Sequence, residues 1–389
     1  MKLITFGQIN IKIVYIIVGG ISQFIIRLLF SIKHLTILSY YSCIFSIASS
    51  LGMSLSFILL ILYRNKKNKN LKLNKLNILN INRIEHAYEI IHRRQYKKIR
   101  TQKFKYIILS SVLDFIQTLF LNGFSKNVGL NIWIFDILFI YLFSYLILKF
   151  KIYKHQYISI SVIIFIGIIL NIIGLIHNNY SHKKYHRIII KFICEIIFSL
   201  RIVINKYTIE KKFGSSYELC FFQGIITLGL LLIFSLFAIF LNLSNDFKNY
   251  FNEFKDKKLK ESLIFLSVLI IQFIYNLCIF VTIDKANAFH IMIIIIIGHL
   301  APYFKGLIDS ESNMIDIIII IGLILILFMA LIFNEIIILN FCALEQNTRK
   351  YISERANYDL YKHIEYDDDD YDNFNEDLGN NNDNNLNYI

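Results

Sequence analysis

A small set of polar side chains lies inside segments of this chain that are otherwise apolar, and they define the chemistry available to it. The set is Gln23, Arg27, Asp114, Gln117, Asp136, Glu195, Arg201, Gln272, Asn276, His299 and Lys305. An ionised side chain at the centre of a membrane costs roughly 2.5–3.5 kcal/mol on insertion scales, so it persists where it binds a partner or a ligand. Ion pairing, hydrogen bonding and proton binding are the expected chemistry, and we treat the set as candidate substrate contacts.

Residue spacing places the first members of the set on shared helical faces. Gln23 and Arg27 are four residues apart on one face, and Arg27 could contact a ligand or extend to the lipid headgroups. Asp114 and Gln117 share a face of the third segment, which offers the carboxylate no basic partner. We expect Asp114 to bind a group on another helix or a ligand. Asp136 lies near the start of the fourth segment, where water could solvate it.

The sixth apolar segment carries the most polar residues. Lys191 and Glu195 are spaced to pair with each other as residues i and i+4. Arg201 follows Glu195 by six residues, which is about 240° around a helix, so it faces elsewhere. Arg201 must therefore bind Asp114, another distant carboxylate or an anionic substrate.

The eighth and ninth segments complete the set. Gln272 and Asn276 share one helical face, and His299, Pro302 and Lys305 lie close together in the ninth segment. Pro302 removes a backbone donor and bends the helix, which leaves carbonyl groups that protein, water or a cavity must satisfy. The bend indicates either a substrate-lining kink or a packing bend with Lys305 extending outward.

The elements that position these residues are apolar segments about long enough to cross a ~30 Å hydrocarbon core. Hydrophobic residues make up 56% of the chain and charged residues 18%, which excludes a sizeable water-soluble domain. We predict an all-α, polytopic membrane protein of ten transmembrane helices. They are residues 9–31, 37–63, 104–124, 129–149, 156–177, 188–207, 217–242, 261–283, 288–308 and 314–339.

The ten segments divide into two halves of five. The first half covers residues 1–177 with a basic cytosolic loop at 64–105, a loop at 178–187 separates the halves, and the second half covers 188–340. Because each half has an odd number of segments, two similar halves would lie in opposite orientations, as two inverted five-helix repeats. Residues 341–389 are acidic and rich in Asn, and are expected to form a disordered cytosolic tail.

The distribution of charge predicts the orientation and excludes some partners. The net charge of +13 arises largely in the 64–105 loop, so the positive-inside rule places both termini in the cytosol. Anionic lipid headgroups are nearer to that loop than any nucleic acid, so we expect membrane lipid and no nucleic acid as a partner.

Enzymatic chemistry has no sequence support. The five cysteines lack CxxC spacing, and the chain contains no HExxH, GxSxG or GxxxxGK[ST] motif. We therefore predict that the protein is not an enzyme and uses no metal or cofactor.

Several motifs resemble a known family. They are Leu-Ser-Ser-Val-Leu-Asp at 109–114, Leu121 with Asn122, the basic turn at 149–154 before Gly167 and Gly174, Glu-Lys-Lys-Phe at 210–213, Tyr275 with Asn276, and Gly322 with Asn334. In order and placement they resemble the drug/metabolite transporter superfamily, within it the solute carrier family 35 branch of nucleotide-sugar transporter-like proteins. The resemblance implies two inverted five-helix halves around a central cavity, with substrate bound between them.

The chain departs from that pattern at Trp133-Ile-Phe-Asp136, where relatives often have a basic residue beside glycine. The acidic group there suits a cation, an amine or a proton-coupled solute as well as a nucleotide sugar. The resemblance therefore does not fix the substrate.

These observations predict a secondary transporter or exchanger of a small polar metabolite, such as a nucleotide sugar or sugar phosphate, working by alternating access. Arg201 and Lys305 are the candidate anion contacts, and Asp114 and Glu195 are counter-charges or proton sites. The alternatives are a carrier of cationic or amine solutes with proton coupling, and a non-transporting membrane scaffold or receptor. An intracellular organelle membrane (Golgi or ER, endolysosomal or vacuolar, or plastid-type) is expected, and a homodimer is left open.

Overall fold

Helices make up nearly all of the described structure. The computed structural model describes residues 4–6, 11–31, 42–63, 65, 101–120, 131–150, 153–177, 185–212, 214–240, 258–308, 314–339 and 348. The described helices are α1 (Ile11–Ser31), α2 (Ser42–Ser54, with further helix over 57–63), α3 (101–120), α4 (Asp136–Phe143), α5 (Lys154–His177), α6 (Tyr185–Lys212), α7 (Ser216–Phe240), α8 (Lys258–Lys285), α9 (Ile291–Ile308) and α10 (Met314–Phe333).

Short irregular turns flank two of these helices. A 3₁₀ turn (Ile132–Phe135) precedes α4 and a π-helical turn (Ser144–Leu148) follows it, while a 3₁₀ turn (Ala288–His290) precedes α9. Lys149 ends the π turn in the left-handed conformation, with φ of 54°. The predicted fourth segment is therefore an α-helix that is preceded by a tighter 3₁₀ turn and followed by a wider π turn.

Within the described residues, six helices are long and apolar enough to cross a membrane, and they confirm a multi-pass helical membrane protein. They cover Ile44–Tyr63, Lys154–Ile176, Ser216–Phe237, Leu259–Lys285, Ala288–Ile308 and Met314–Phe333. Ile13–Leu29 and Ile132–Leu148 are shorter apolar stretches, and α3 and α6 are interrupted by charged residues. Most of the 64–105 and 178–187 loops, and the 341–389 tail apart from Thr348, lie outside the described residues.

The outer surface of the bundle is apolar. Phe165, Ile176 and Leu236 are among many large hydrophobic side chains that are more than three-fifths exposed. An exposed apolar surface of this extent is a liability in water but is what a hydrocarbon solvent favours. The exposed side chains therefore agree with the lengths of the helices in indicating a membrane environment.

A short β-ladder corrects the prediction that the chain is purely helical. Ile4–Phe6 pairs antiparallel with Ile337–Leu339, so the residues before α1 contact those after α10. The predicted tenth segment thus leaves the helix after Phe333, and Glu335 takes a φ of 58° in the intervening turn. The cause is tertiary, because an apolar run such as Ile336–Leu339 suits a strand as well as a helix.

Glycines allow the closest helix contacts. A Cβ atom on Gly52 of α2 would lie 3.0 Å from the backbone nitrogen of Phe273 in α8, and one on Gly224 of α7 would lie 2.7 Å from the backbone nitrogen of Ser54 in α2. Gly20 of α1 similarly leaves room for the side chain of Ile297 of α9. Because backbone atoms cannot rotate away, α2 packs between α7 and α8 only while these positions lack side chains.

We expect Gly224→Ala to destabilise the protein by about 1–3 kcal/mol, the usual cost of overpacking a close contact. The new methyl group would meet Met53 and the backbone of Ser54. Thermal unfolding of the purified protein in detergent measures the effect. Gly229→Ala is the matched control in the same helix, because a Cβ there meets nothing within 4 Å. Equal melting temperatures for the two variants would contradict the close α2–α7 contact.

Candidate functional site

A polar cavity of about 620 Å³ lies among the helices. All of the sequence-predicted candidates except Lys305 line it. They are Gln23, Arg27, Asp114, Gln117, Asp136, Glu195, Arg201, Gln272, Asn276 and His299. Their convergence from α1, α3, α4, α6, α8 and α9 is a fact of the structure, whereas their role in binding substrate remains a prediction.

One end of the bundle is crossed by a layer of polar contacts, here called the contact layer. Lys103 at the start of α3 forms an ion pair with Glu218 at the start of α7, with an N–O distance of 2.8 Å. Lys212 at the end of α6 donates to Gln102 at 2.8 Å. Lys206 donates to the carbonyl oxygens of Ile283 and Ala286 at the end of α8, each at 2.8 Å. These contacts join α3, α6, α7 and α8 at the same end.

The contact layer continues through α5, α9 and α10. Gln156 at the start of α5 donates to the carbonyl oxygen of Phe333 at the end of α10, at 3.1 Å. The ring of Phe289, just before α9, lies 4.7 Å from the Phe333 ring and 5.4 Å from the Phe150 ring. His155 lies 3.4 Å from Glu335. The starts of α3, α5, α7 and α9 thus meet the ends of α6, α8 and α10, so successive helices run in opposite directions.

The cavity lies in the other half of the bundle. It takes residues 23–27 from the second half of α1, 114–118 from the second half of α3 and 191–201 from the first two-thirds of α6. With the helix directions given by the contact layer, these stretches lie on the side away from that layer. Within the described bundle, the contact layer therefore lies between the cavity and one end, and the cavity lies toward the other end.

An ion pair between Asp114 and Arg201 joins α3 to α6 at the cavity wall. Thr227 of α7 donates to the second carboxylate oxygen of Asp114 at 3.1 Å. The guanidinium group of Arg201 also lies 5.2 Å from the Phe198 ring centre, within the range of a cation–π contact. Of the partners left open by the sequence, Arg201 binds Asp114.

A buried hydrogen-bond network lies one helical turn nearer the contact layer. Ser110 donates to Asn205 at 2.6 Å and lies 3.0 Å from Gln223, while Asn205 donates to Gln223 at 3.3 Å. All three side chains are buried. The network connects α3, α6 and α7 between the cavity and the contact layer, which makes this part of the bundle rigid rather than open. Sequence reasoning did not single it out, although Ser110 precedes Asp114 and Gln223 precedes Thr227 by four residues, so helical spacing places each of them on a polar face.

The α8 amides contact α2 rather than only each other. Ser49 donates to Gln272 at 3.3 Å, and Asn276 donates to Ser49 at 3.4 Å. Ser46 and Ser50 of α2 also line the cavity, as does Tyr275 of α8. The serines were not among the predicted site residues, although their spacing of three and four residues could have indicated a polar helical face.

Trp133 and His299 stack across the cavity wall, with ring centres 4.0 Å apart and an interplanar angle of 22°. Asn131 accepts hydrogen bonds from the indole of Trp133 and the hydroxyl of Tyr303, each at 3.3 Å. Pro302, the expected bend, lies one turn from His299 and lines the cavity. Lys305 is not among the residues that line this cavity, and its anion contact stays a prediction.

Asp136 is buried, which corrects the expectation that water solvates it at the start of its segment. Its residue exposure is 1%, and its neighbours Ile132, Ile134 and Ile137, in the 3₁₀ turn and at the start of α4, are buried with it. The hydroxyl of Ser199 on α6 lies 3.5 Å from one of its carboxylate oxygens. Asp136 thus belongs to the cavity wall.

The charged groups of the cavity balance one another. Arg27, Lys191 and Arg201 supply positive charge, and Asp114, Asp136 and Glu195 supply negative charge. Lys191, which the sequence assigned to a pair with Glu195, is itself a lining residue, and Glu195 interacts electrostatically with both Lys191 and Arg27. With all six of these groups ionised, the cavity carries no excess of one sign, which suits a polar solute that offers both donors and acceptors.

We expect Arg201→Ala to lower stability by about 3–5 kcal/mol, because it leaves the carboxylate of Asp114 buried without its cation. The double variant Asp114→Ala/Arg201→Ala should be more stable than Arg201→Ala alone, since both charges are removed together. Thermal unfolding in detergent of the two single variants and the double variant gives the coupling. Additive losses would contradict a direct ion pair in the native state.

Comparison with known proteins does not assign the chain to a family. No protein-family model matches the chain, and no curated protein matches its sequence. The resemblance to drug/metabolite transporters is therefore carried by the sequence motifs alone, and the cavity and its surrounding helices are the basis for inferring function.

Proposed function

We propose that this protein is a secondary carrier or exchanger that moves a small polar metabolite across an intracellular membrane by alternating access. The observation that carries the proposal is the cavity of about 620 Å³, lined by ionic groups inside an apolar helical bundle and lying toward one end of it. Ligand sites for small molecules commonly enclose about 300–1,000 Å³. A bundle without cargo would be expected to fill such a space with apolar side chains.

The packing of the helices supports two related halves. If the halves are related, α1 corresponds to α6, α3 to α8 and α4 to α9. The contacts follow this correspondence, because α1 packs against α8 and α9, and α6 packs against α3 and α4. α2 packs against α7, and α5 packs against α10. Arg27 and Arg201 occupy the same position counted from the starts of α1 and α6. This exchange of partners is what ten crossings in two inverted five-helix repeats would produce, as in the solute carrier family 35-like proteins.

The orientation follows from the charge of the 64–105 segment. The end of α2 reaches the contact layer through Tyr63, whose ring lies 5.7 Å from that of Tyr217, and the start of α3 reaches it through Lys103. The basic segment joins these two ends, and the positive-inside rule places it in the cytosol. We infer that the contact layer is the closed cytosolic gate, that both termini are cytosolic and that the cavity opens away from the cytosol.

A second candidate function is a carrier of cationic or amine solutes. The buried carboxylates of Asp136 and Glu195 favour it, because they offer negative charge to a ligand next to the Trp133 and His299 rings. A non-transporting scaffold is less well supported, since such a protein has no use for a polar cavity within the membrane.

We expect Asp114→Ala and Arg201→Ala each to reduce flux at least tenfold, because both side chains form the cavity wall. Purified protein in liposomes loaded with radiolabelled metabolite mixtures, assayed for counterflow, provides the measurement. Lys260→Ala, an exposed residue of α8 outside the cavity, is the control and should retain wild-type flux. Wild-type protein that exchanges no solute in the screen would support the scaffold instead.

Accessibility of the cavity to a membrane-impermeant thiol reagent tests the inferred orientation. In a background without native cysteines, Ser49→Cys lies in the cavity lining and Ser110→Cys lies in the buried network beneath it. We expect Ser49→Cys to react from the non-cytosolic face only and Ser110→Cys to react slowly from both faces. Rapid labelling of Ser49→Cys from the cytosolic face would reverse the assignment.

A further inference from the structure

We propose that Asp136 and Glu195 form one proton-binding site in the cavity wall, and that binding and release of this proton are coupled to transport. The proton site follows from geometry and does not require a known substrate. Only the coupling to flux rests on the proposed carrier function.

The two carboxylates are brought together by the contact of α4 with α6. Ser199 lies 3.4 Å from the carbonyl oxygen of Asp136 and 3.5 Å from its carboxylate. Glu195 precedes Ser199 by four residues and so lies on the same face of α6, one turn away. Both carboxylates line the cavity and interact electrostatically with each other.

The environment of Asp136 leaves one carboxylate oxygen without a partner. Its exposure is 1%, and within the part of the chain that the structure describes, its second carboxylate oxygen is buried and accepts no hydrogen bond. An unsatisfied buried acceptor costs roughly 1–3 kcal/mol, and more when it is charged. A proton on this oxygen removes the charge and creates an O–H donor in the cavity wall.

The charged groups around the pair assign the proton to Asp136 rather than to Glu195. Lys191 from α6 and Arg27 from α1 both attract Glu195, so its ionised form has cationic neighbours. Lys191 also attracts the carboxylate of Asp136, but the negative charge of Glu195 repels that carboxylate.

Other titratable groups near α4 are engaged or distant. His299 from α9 lines the same cavity and stacks on Trp133. Arg201 binds Asp114. His155 and His290 lie toward the opposite, contact-layer end of α4, where His155 meets Glu335 and His290 adjoins Phe289.

This arrangement supplies a balanced transport step. The Asp136 carboxylic acid releases its proton to water in the cavity when the cavity is hydrated, and a positively charged group of a solute can then occupy the space between the two carboxylates. When the solute leaves, one proton returns from water to Asp136. Proton and solute thus compete for one site, which is the condition for coupling their movements.

Infrared difference spectroscopy of the reconstituted protein between acid and alkaline pH tests the proton site. Exposed carboxylic acids ionise at about pH 4, so wild type should show the C=O stretching band of a protonated carboxylic acid that persists above that range, and the Asp136→Asn protein should lack this band. Glu195→Gln should retain the band but titrate at lower pH, because the neighbouring negative charge is gone. Glu218→Gln, which alters a carboxylate paired with Lys103 in the contact layer, is the control and should leave the band unchanged.

The wild-type titration alone can overturn the proposal, so it does not depend on a variant that folds. Absence of a carboxylic acid band that persists above the pH range of exposed carboxylates, or presence of that band in Asp136→Asn, would show that Asp136 holds no proton. Elution of each variant as a single species on size exclusion verifies that it is folded.

Proteoliposomes containing a trapped pH-sensitive dye separate this proposal from the carrier function. A pH gradient should accelerate counterflow of the metabolite mixture by the wild-type protein at least threefold. It should leave counterflow by the Asp136→Asn protein unchanged. Counterflow that is indifferent to the gradient overturns the coupling while the carrier function stands. A titrating band without counterflow overturns the carrier function while the proton site stands.

Discussion

The constraint on which this structure depends is that charge inside an apolar bundle needs a partner. Asp114 and Arg201 satisfy it across α3 and α6, with Thr227 and the Phe198 ring completing the shell. Removing either charge leaves the other in a medium where its desolvation is not compensated. The ion pair therefore fixes how α3 and α6 face each other, and it holds these two helices at the cavity wall.

The two ends of the helical bundle are packed differently. Ion pairs, carbonyl contacts and aromatic rings fill the contact layer, whereas the other half retains space lined by serine, amide and ionic groups. Close glycine contacts such as Gly224 against α2 make the helices pack as rigid bodies rather than deform locally. One tight end and one open end is the asymmetry that each state of the proposed alternating-access carrier requires.

Asp114 and Asp136 are both buried carboxylates of the cavity wall, but they differ in their partners. Asp114 is neutralised by a direct cation, while Asp136 is close to another carboxylate and retains an unsatisfied oxygen. A directly paired carboxylate stabilises a fixed packing, whereas an incompletely satisfied one responds to protons and ligands. The same residue type thus stabilises packing at one position and, in our proposal, binds a proton at another.

The sequence by itself determined that apolar helices cross a membrane several times and which polar side chains they carry, because hydropathy and helical spacing are local properties. It also indicated that Asp114 needs a partner on another helix and offered Arg201 as one. Only the tertiary structure decided that these side chains converge while Lys305 stays outside, and that Asp136 is buried rather than solvated. The pairing of Ile4–Phe6 with Ile337–Leu339 and the Ser110–Asn205–Gln223 network were likewise invisible, because each joins residues far apart in sequence whose contact depends on how whole helices pack.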